Sequence, residues 1–386
     1  MSGCKSGYKG WSINMDEKAY WIGFNLVKGV GAVRLQGLLD FFGNLEMAWN
    51  APYDALRQAG LSEKIVEQFL ILRKQVDLSR IMERIDQAGI RVFTWSDEDY
   101  PRRLREIDQS PPVLYCKGTI EPEDEWAVAV VGTRRISAYG RQVTQELSAF
   151  LARRGVTVVS GLARGVDALA HQTAIQNGGR TFAVLGSGVD KIYPPEHRKL
   201  AQEISERGAV ISDYAPGTPP DGSNFPPRNR IISGLTLATV VIEAGETSGA
   251  LITANFAANQ GRDVFAVPGS IYAPQSIGAN RLIQDGARPL LKMDDVLESL
   301  NLQNIFEKQT ARRVLPGDEV EARLLKCLSR EPLHIDEISA NSGLSIDKVS
   351  ATLVMMELKG MVQQVGGMNY VSIQEPNEDY RTVNHA

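Results

Sequence analysis

Four residues, Gly132-Thr133-Arg134-Arg135, combine two features that hold an anion. They follow the apolar β-type run 127–131 and precede a helical pattern from Ala138 to Arg154. A glycine turn between a buried strand and a helix start leaves backbone N–H groups free, and the helix dipole adds positive potential there. The two arginines contribute forked donors suited to phosphate. The device recurs. A second strand-like run, 156–160, ends in Gly161-Leu162-Ala163-Arg164-Gly165, and a third, 182–185, in Gly186-Ser187-Gly188. The run 209–212 leads through a long loop to Asn224-Phe225-Pro226-Pro227-Arg228-Asn229-Arg230. The run 238–242 is followed by Glu243-Ala244-Gly245-Glu246-Thr247-Ser248-Gly249, and the run 264–267 by Pro268-Gly269. Repetition of such turns points to a polyanion, a chain of phosphates, rather than to one small ligand.

Other residues offer alternative chemistry. Asp167 and His171 lie four apart on one helix face, as a catalytic dyad or as a structural pair. Glu243 ends a strand and is the candidate acid for hydrolysis of a nucleotide, without an evident partner acid, metal cluster or nucleophile. Phe225 precedes two prolines that stiffen a helix entry, and an aromatic in a basic loop suits stacking on an unpaired base or packing as an anchor. Arg228 and Arg230 do not share a helix face, so one of them is open to a structural role. The chain lacks G-x-x-x-x-G-K-[ST], and no G-x-G-x-x-G opens the first helix. Both absences argue against P-loop hydrolysis and dinucleotide binding. No cofactor or metal is expected.

The elements that must position these turns alternate in type. Continuous β-branched runs separated by helical patterns predict an α/β fold, a doubly wound and mostly parallel sheet covered on both faces. Ligands in that architecture bind beyond the carboxyl ends of the strands, where the unusual residues fall. The net charge of −4 conceals an asymmetry. From Val128 to Lys292 there are 17 lysines and arginines against 12 carboxylates, so the central region is basic and its flanks are acidic. Three widely spaced cysteines give no metal spacing or disulfide framework and fit a reducing cytoplasm. No apolar run reaches membrane length, and no secretory signal pattern opens the chain.

Three domains are expected, at 16–88, 89–300 and 314–375. Residues 1–15 and the tail after Glu375 read as loose. Residues 16–88 are helical, with glycine turns at Val27-Lys28-Gly29-Val30-Gly31 and Gln58-Ala59-Gly60-Leu61-Ser62. The first resembles a helix-hairpin-helix turn, suited to a DNA phosphate or to helix packing. Residues 90–94 and 112–118 read as further short strands. After a linker containing Pro316-Gly317, the pattern is that of a winged helix with helices at 318–328, 335–341 and 345–359 and a ribbon around Gly366-Gly367. The third helix is not basic, which disfavours duplex reading.

The runs Val131-Gly132-Thr133-Arg134, Ser160–Asp167 with Ala170-His171, Asn224–Ile232, Ser248–Ala254 and Val264–Gly269 resemble, in order, the signatures of the DprA/Smf family. The resemblance implies an extended Rossmann domain, with a helical (helix-hairpin-helix or SAM-like) domain before it and a winged helix after it. It implies a homodimer that binds single-stranded DNA and loads a RecA-type recombinase during natural transformation, with no catalytic reaction. The family's phosphate-binding arginine falls on Arg134 and its base-stacking aromatic on Phe225. Some members carry a DNA-binding lysine shortly before that aromatic; this chain has Asp221-Gly222-Ser223 there. The expected DNA-binding set is Gly132, Thr133, Arg134, Gly161, Arg164, Gly165, Phe225, Arg228, Asn229, Arg230, Thr247, Ser248 and Gly249. The alternatives are a phosphoribohydrolase-like nucleotide enzyme, whose Pro-Gly-Gly-x-Gly-Thr run is absent here, and a ligand-sensing regulator that binds duplex DNA.

Overall fold

The computed structural model describes residues 15–300, 319–329, 332–358 and 361–372. The loose segments expected at the two ends fall outside them, Met15 excepted, as does the linker containing Pro316-Gly317. The chain divides into two compact units at Leu300.

In the first unit the described residues form a nine-stranded sheet. Its strands are β1 (Arg91–Thr94), β2 (Val113–Gly118), β3 (Ala127–Val131), β4 (Thr157–Ser160), β5 (Thr181–Val184), β6 (Ala209–Ser212), β7 (Ala238–Val241), β8 (Asp263–Ala266) and β9 (Arg288–Pro289). They lie in the order β1-β2-β6-β5-β4-β3-β7-β8-β9, parallel from β6 to β9 and antiparallel at β1 and β2. Every residue of β3, β4, β5, β6 and β7 is buried, as continuous β-branched runs require. From β3 the chain winds one way to β4, β5 and β6, then crosses back to β7 and winds the other way. Right-handed crossovers therefore set helices Ala138–Arg153, Val166–Gln176 and Arg198–Arg207 on one face. They set Phe225–Gly234, Gly249–Asn259 and Ile277–Gln284 on the other. The reversal beside β3 is the topological switch point of this sheet.

Before the sheet come helices Met15–Asn25, Ala32–Phe42, Leu45–Asn50, Tyr53–Gln58, Glu63–Gln75 and Leu78–Gln87. Phe24, Trp49 and Phe69 pack in their centre with ring centroids 5.0 to 5.4 Å apart. Gly29 and Gly60, in the two glycine turns, have φ of 94° and 93°, a region that a side chain would strain. These helices are not a separate body. Trp21, Val27 and Val30 share one apolar cluster with Tyr115, Leu185, Val189 and Ala215 of the sheet layer. Lys18 pairs with Asp97 at 2.8 Å, and the Tyr115 hydroxyl donates to Asn25 Oδ1 at 3.0 Å.

The second unit contains helices Glu319–Cys327, Ile335–Ser342 and Ile346–Leu358 and the strands β10 (Leu333–His334), β11 (Val362–Gly366) and β12 (Asn369–Ser372), ordered β10-β12-β11. Gly343 ends the second helix in the left-handed region at φ 67°. Leu324, Ile338, Val349, Leu353 and Met356 form its core, and this is the winged-helix arrangement. The third helix and the ribbon expose Ile346, Val354, Met355, Val365 and Met368, an apolar surface rather than a cationic one.

Candidate nucleic-acid interface

The turn after β3 is laced to its neighbours by backbone. Thr133 N donates to Glu243 O at 2.7 Å, and Val166 N donates to Thr133 O at 3.2 Å. The close approach requires glycine. A Cβ on Gly132 would lie 2.6 Å from Val166 Cγ2, and one on Gly165 would lie 2.4 Å from Thr133 O. The Thr133 hydroxyl accepts from Arg135 N at 3.1 Å and closes the turn. Arg134 stands exposed on it, with no hydrogen bond or ion pair to any described residue.

A cleft of about 800 Å³ opens at this point, beyond the carboxyl ends of β3 and β7. Gly132, Thr133, Arg134 and Arg135 line one side and Thr247, Ser248 and Gly249 the other. Ser248 caps helix Gly249–Asn259, and the first turn of Phe225–Gly234 also borders the cleft, so two helix N-termini face the same space. Both dipoles favour an anion, and free amides come chiefly from the start of Gly249–Asn259, because Pro226 and Pro227 carry no N–H. Phe225 is half-buried, 5.7 Å from the Tyr193 ring, with the Arg228 guanidinium 5.9 Å from its centroid. The cleft thus offers two exposed arginines, Arg134 and Arg135, whose side chains pair with no described residue, together with two helix starts and an aromatic pair, the components of a track for phosphates and bases.

Comparison with known proteins places the chain in a family. Residues 91–301 match the family of DNA recombination-mediator protein A, and residues 308–368 match the DprA winged helix domain. The chain belongs to the DprA/Smf family. It is similar to Protein Smf of Synechocystis, 37% identical over 391 residues that cover 92% of this chain and 98% of that one. DNA processing protein DprA of Bacillus subtilis is 38% identical over 65% of this chain and 83% of its own length. The X-ray structure of DprA from Streptococcus pneumoniae superposes with a TM-score of 0.65 at 35% identity, covering 72% of this chain and 97% of that one. A structure of DNA processing protein A from Helicobacter pylori, described for its single-stranded DNA binding mode, gives a TM-score of 0.50 at 29% identity, with 55% and 95% coverage.

The remaining candidate residues divide. Gly161 and Arg164 line a smaller recess with Arg134, Tyr193 and Phe225, beside the cleft. Arg164 Nε is paired with Glu196 at 2.6 Å on the surface. Arg228 is buried beneath the cleft and donates to Gly161 O at 3.0 Å and to Val184 O. Burial lowers its pKa to about 10, against the opposing charge of Asp167, so the guanidinium stays protonated at neutral pH. Asn229 accepts from Arg228 Nε at 3.2 Å and donates to Gly249 O at 3.2 Å, tying two helix starts together. Arg230 lies away from the cleft. It pairs with Asp213 at 2.8 Å and donates to Gln109 O, because two positions along a helix turn a side chain by about 200°.

Asp167 and His171 do not form a dyad. Asp167 accepts from Gly161 N at 3.1 Å and Ala163 N at 3.3 Å, and burial raises its pKa against the Arg228 charge. His171 is fully buried, with Nδ1 2.7 Å from Thr181 Oγ1 and no partner for Nε2 among the described residues. Burial, and then the His197 and Arg228 charges, lower its pKa to about 3. The unfolded chain takes up this proton near pH 6.5 and the folded one does not until about 3. The stability His171 contributes is therefore full above pH 6.5 and falls on acidification by about 1.4 kcal/mol per pH unit. Between pH 6.5 and 5, wild type should lose roughly 2 kcal/mol more than His171→Gln in urea unfolding. Equal losses would show that His171 does not titrate this way.

Glu243 is also committed elsewhere. Its carboxylate accepts from Ser137 N at 3.0 Å and from the Ser137 hydroxyl, which itself caps helix Ala138–Arg153. It borders a neighbouring cavity of about 450 Å³ with Tyr139 and Ser276, not the cleft. Sequence reasoning missed Tyr193, which lines both the cleft and the recess and is 41% exposed. Its signal was an aromatic beside Pro194-Pro195 at the end of the loop after β5.

Proposed function

We propose that the chain binds single-stranded DNA without sequence preference along the carboxyl rim of its sheet. As a homodimer in the cytoplasm it hands that strand to a RecA-type recombinase during natural transformation, with no catalytic step of its own. The observation that carries this reading is Arg134, an exposed arginine at a switch-point cleft that pairs with no described residue. Gly132, Thr133, Arg134, Thr247, Ser248 and Gly249 hold phosphates, and Phe225 with Tyr193 receives a base. Arg228, Asn229 and Gly165 support the floor and the turn. Arg164 joins the track when Glu196 releases it, and Arg230 acts through Asp213 rather than on the strand. The relatives' names and the single-strand mode described for the Helicobacter pylori protein support the assignment.

The test is binding of a fluorescent oligo-dT and of a matched duplex by the full chain over a salt series. Strong preference for the single strand with a steep salt slope supports the proposal; equal affinity for both sinks it. Release of free base dependent on Glu243 would favour the nucleotide-enzyme alternative instead. Sequence-specific duplex binding through the winged helix would favour the regulator. Tyr193→Ala should weaken oligo-dT binding by about 1–3 kcal/mol with the salt slope unchanged, since stacking is lost and no charge is. Tyr193→Phe should bind as wild type. A Tyr193→Ala protein of full affinity would remove this ring from the track.

A further inference from the structure

One edge of the cleft is electrostatically wrong for a polyanion. Asp221, an exposed carboxylate, lines the cleft with Pro220 and Gly222 on the loop between β6 and helix Phe225–Gly234. A strand leaving the Phe225–Tyr193 pair in this direction would meet that negative charge. The first glycine turn of the N-terminal helices lies against the same loop. Val27 and Val30 are buried in the cluster that contains Ala215 and Val189, and Asn25 Nδ2 donates to Asp213 O at 3.2 Å. Between the two anchoring valines, Lys28 and Gly29 are exposed. Arg34 is engaged with Gly29 O at 2.5 Å, whereas Lys28 has no hydrogen bond or ion pair to any described residue. The Asp221 carboxyl is held below its usual range first by Ser223, whose hydroxyl and amide it accepts from, and also by the Lys28 ammonium.

We propose that Lys28 extends the nucleic-acid track from the sheet rim onto the N-terminal helical hairpin, offsetting Asp221 and contacting a backbone phosphate of the single strand beyond Phe225. The inference rests on the single-strand reading of the cleft. It gives the hairpin a part in binding that depends on how it packs on the sheet, and it makes the site longer than the rim alone. A lysine suits this place, because a point charge on a flexible stem tolerates the varied path of an unpaired strand.

The experiment compares wild type, Lys28→Ala, Lys28→Arg and Arg134→Ala in the full chain, with oligo-dT of 6 and of 20 nucleotides, over a salt series. Lys28→Ala should bind the 20-mer roughly fivefold more weakly, with the salt slope reduced by about 0.7, the value for one phosphate contact on a single strand. The 6-mer, held by the rim, should bind it as it binds wild type. Lys28→Arg should restore the 20-mer. Arg134→Ala should weaken both lengths, and this arm tests the rim separately. Unchanged 20-mer affinity in Lys28→Ala, with Arg134→Ala still defective, would overturn the extension and leave the rim standing. Equal weakening of both lengths by Lys28→Ala would also overturn it, since Lys28 would then act on the rim itself. Indifference of both lengths to Arg134→Ala would be a failure of the single-strand reading, not of the hairpin alone. Lys28 is exposed on a turn, so matching thermal melts of the variants are expected.

Discussion

Arg134→Ala should weaken oligo-dT binding by roughly 10- to 100-fold, the range for loss of a charge-assisted hydrogen bond to phosphate. The size follows from the surroundings of this side chain. No carboxylate of the described residues pairs with it, so binding a phosphate requires no ion pair to be broken first. The nearby Arg228 charge, whose pKa is lowered first by burial and in smaller part by Arg134, repels it, and an arriving anion relieves that repulsion. Two helix N-termini open on the same cleft and strengthen the field. Because a phosphate carries no sequence information, oligo-dT and mixed sequences should lose affinity in the same ratio. The salt slope should fall by about 0.7 for each contact removed. Arg134→Lys should keep the slope and recover only part of the affinity, since it retains the charge but not the fork. An Arg134→Ala protein with wild-type affinity and slope would disprove the assignment. A defect confined to some sequences would mean that Arg134 touches bases.

Much of the scaffold was legible because it depends on local pattern. The buried strands β3 to β7 read directly as β-branched runs, and the turn Gly132–Arg135 lies between β3 and helix Ala138–Arg153 as residues adjacent in sequence indicate. The fates of individual side chains were not legible to the same degree, because distant neighbours decide them. Arg228 and Arg230 fall on different helix faces, but the sequence does not say which partners take each. One is claimed by Gly161 and Val184 carbonyls and the other by Asp213. Asp167 and His171 have the spacing of a pair, but Thr181 and the amides of Gly161 and Ala163 take them separately. Glu243 looked free at a strand end until Ser137, 106 residues earlier, was found to occupy it. Packing of the N-terminal helices onto β1 and β2 brings Lys28 toward Asp221, and no window of sequence contains both.

Arg228→Ala should act mainly on the fold, which separates it from Arg134 although both line the cleft. Arg228 is 5% exposed, and its guanidinium donates to two backbone carbonyls at the ends of β4 and β5. A Cβ on Gly161 would sit 2.6 Å from its Nη2 and 2.9 Å from Asp167 Oδ2, so cation and carboxylate flank one glycine. Truncation leaves Asp167 buried without a countercharge and two carbonyls without a donor. The cost of breaking a buried charge pair in this way is about 3–5 kcal/mol. In a unit of this size it should lower the thermal midpoint by roughly 5–8 °C. Adding Asp167→Asn should recover part of that loss, because the uncompensated charge disappears. The carbonyls remain unpaired, so recovery should be incomplete. Two results would count against this account. A midpoint close to wild type in Arg228→Ala would mean that the arginine is not needed by the floor of the cleft and is free for the strand. An additive double variant would mean that Arg228 and Asp167 are not coupled, and that the Arg228 charge does not offset the burial that raises the Asp167 carboxyl.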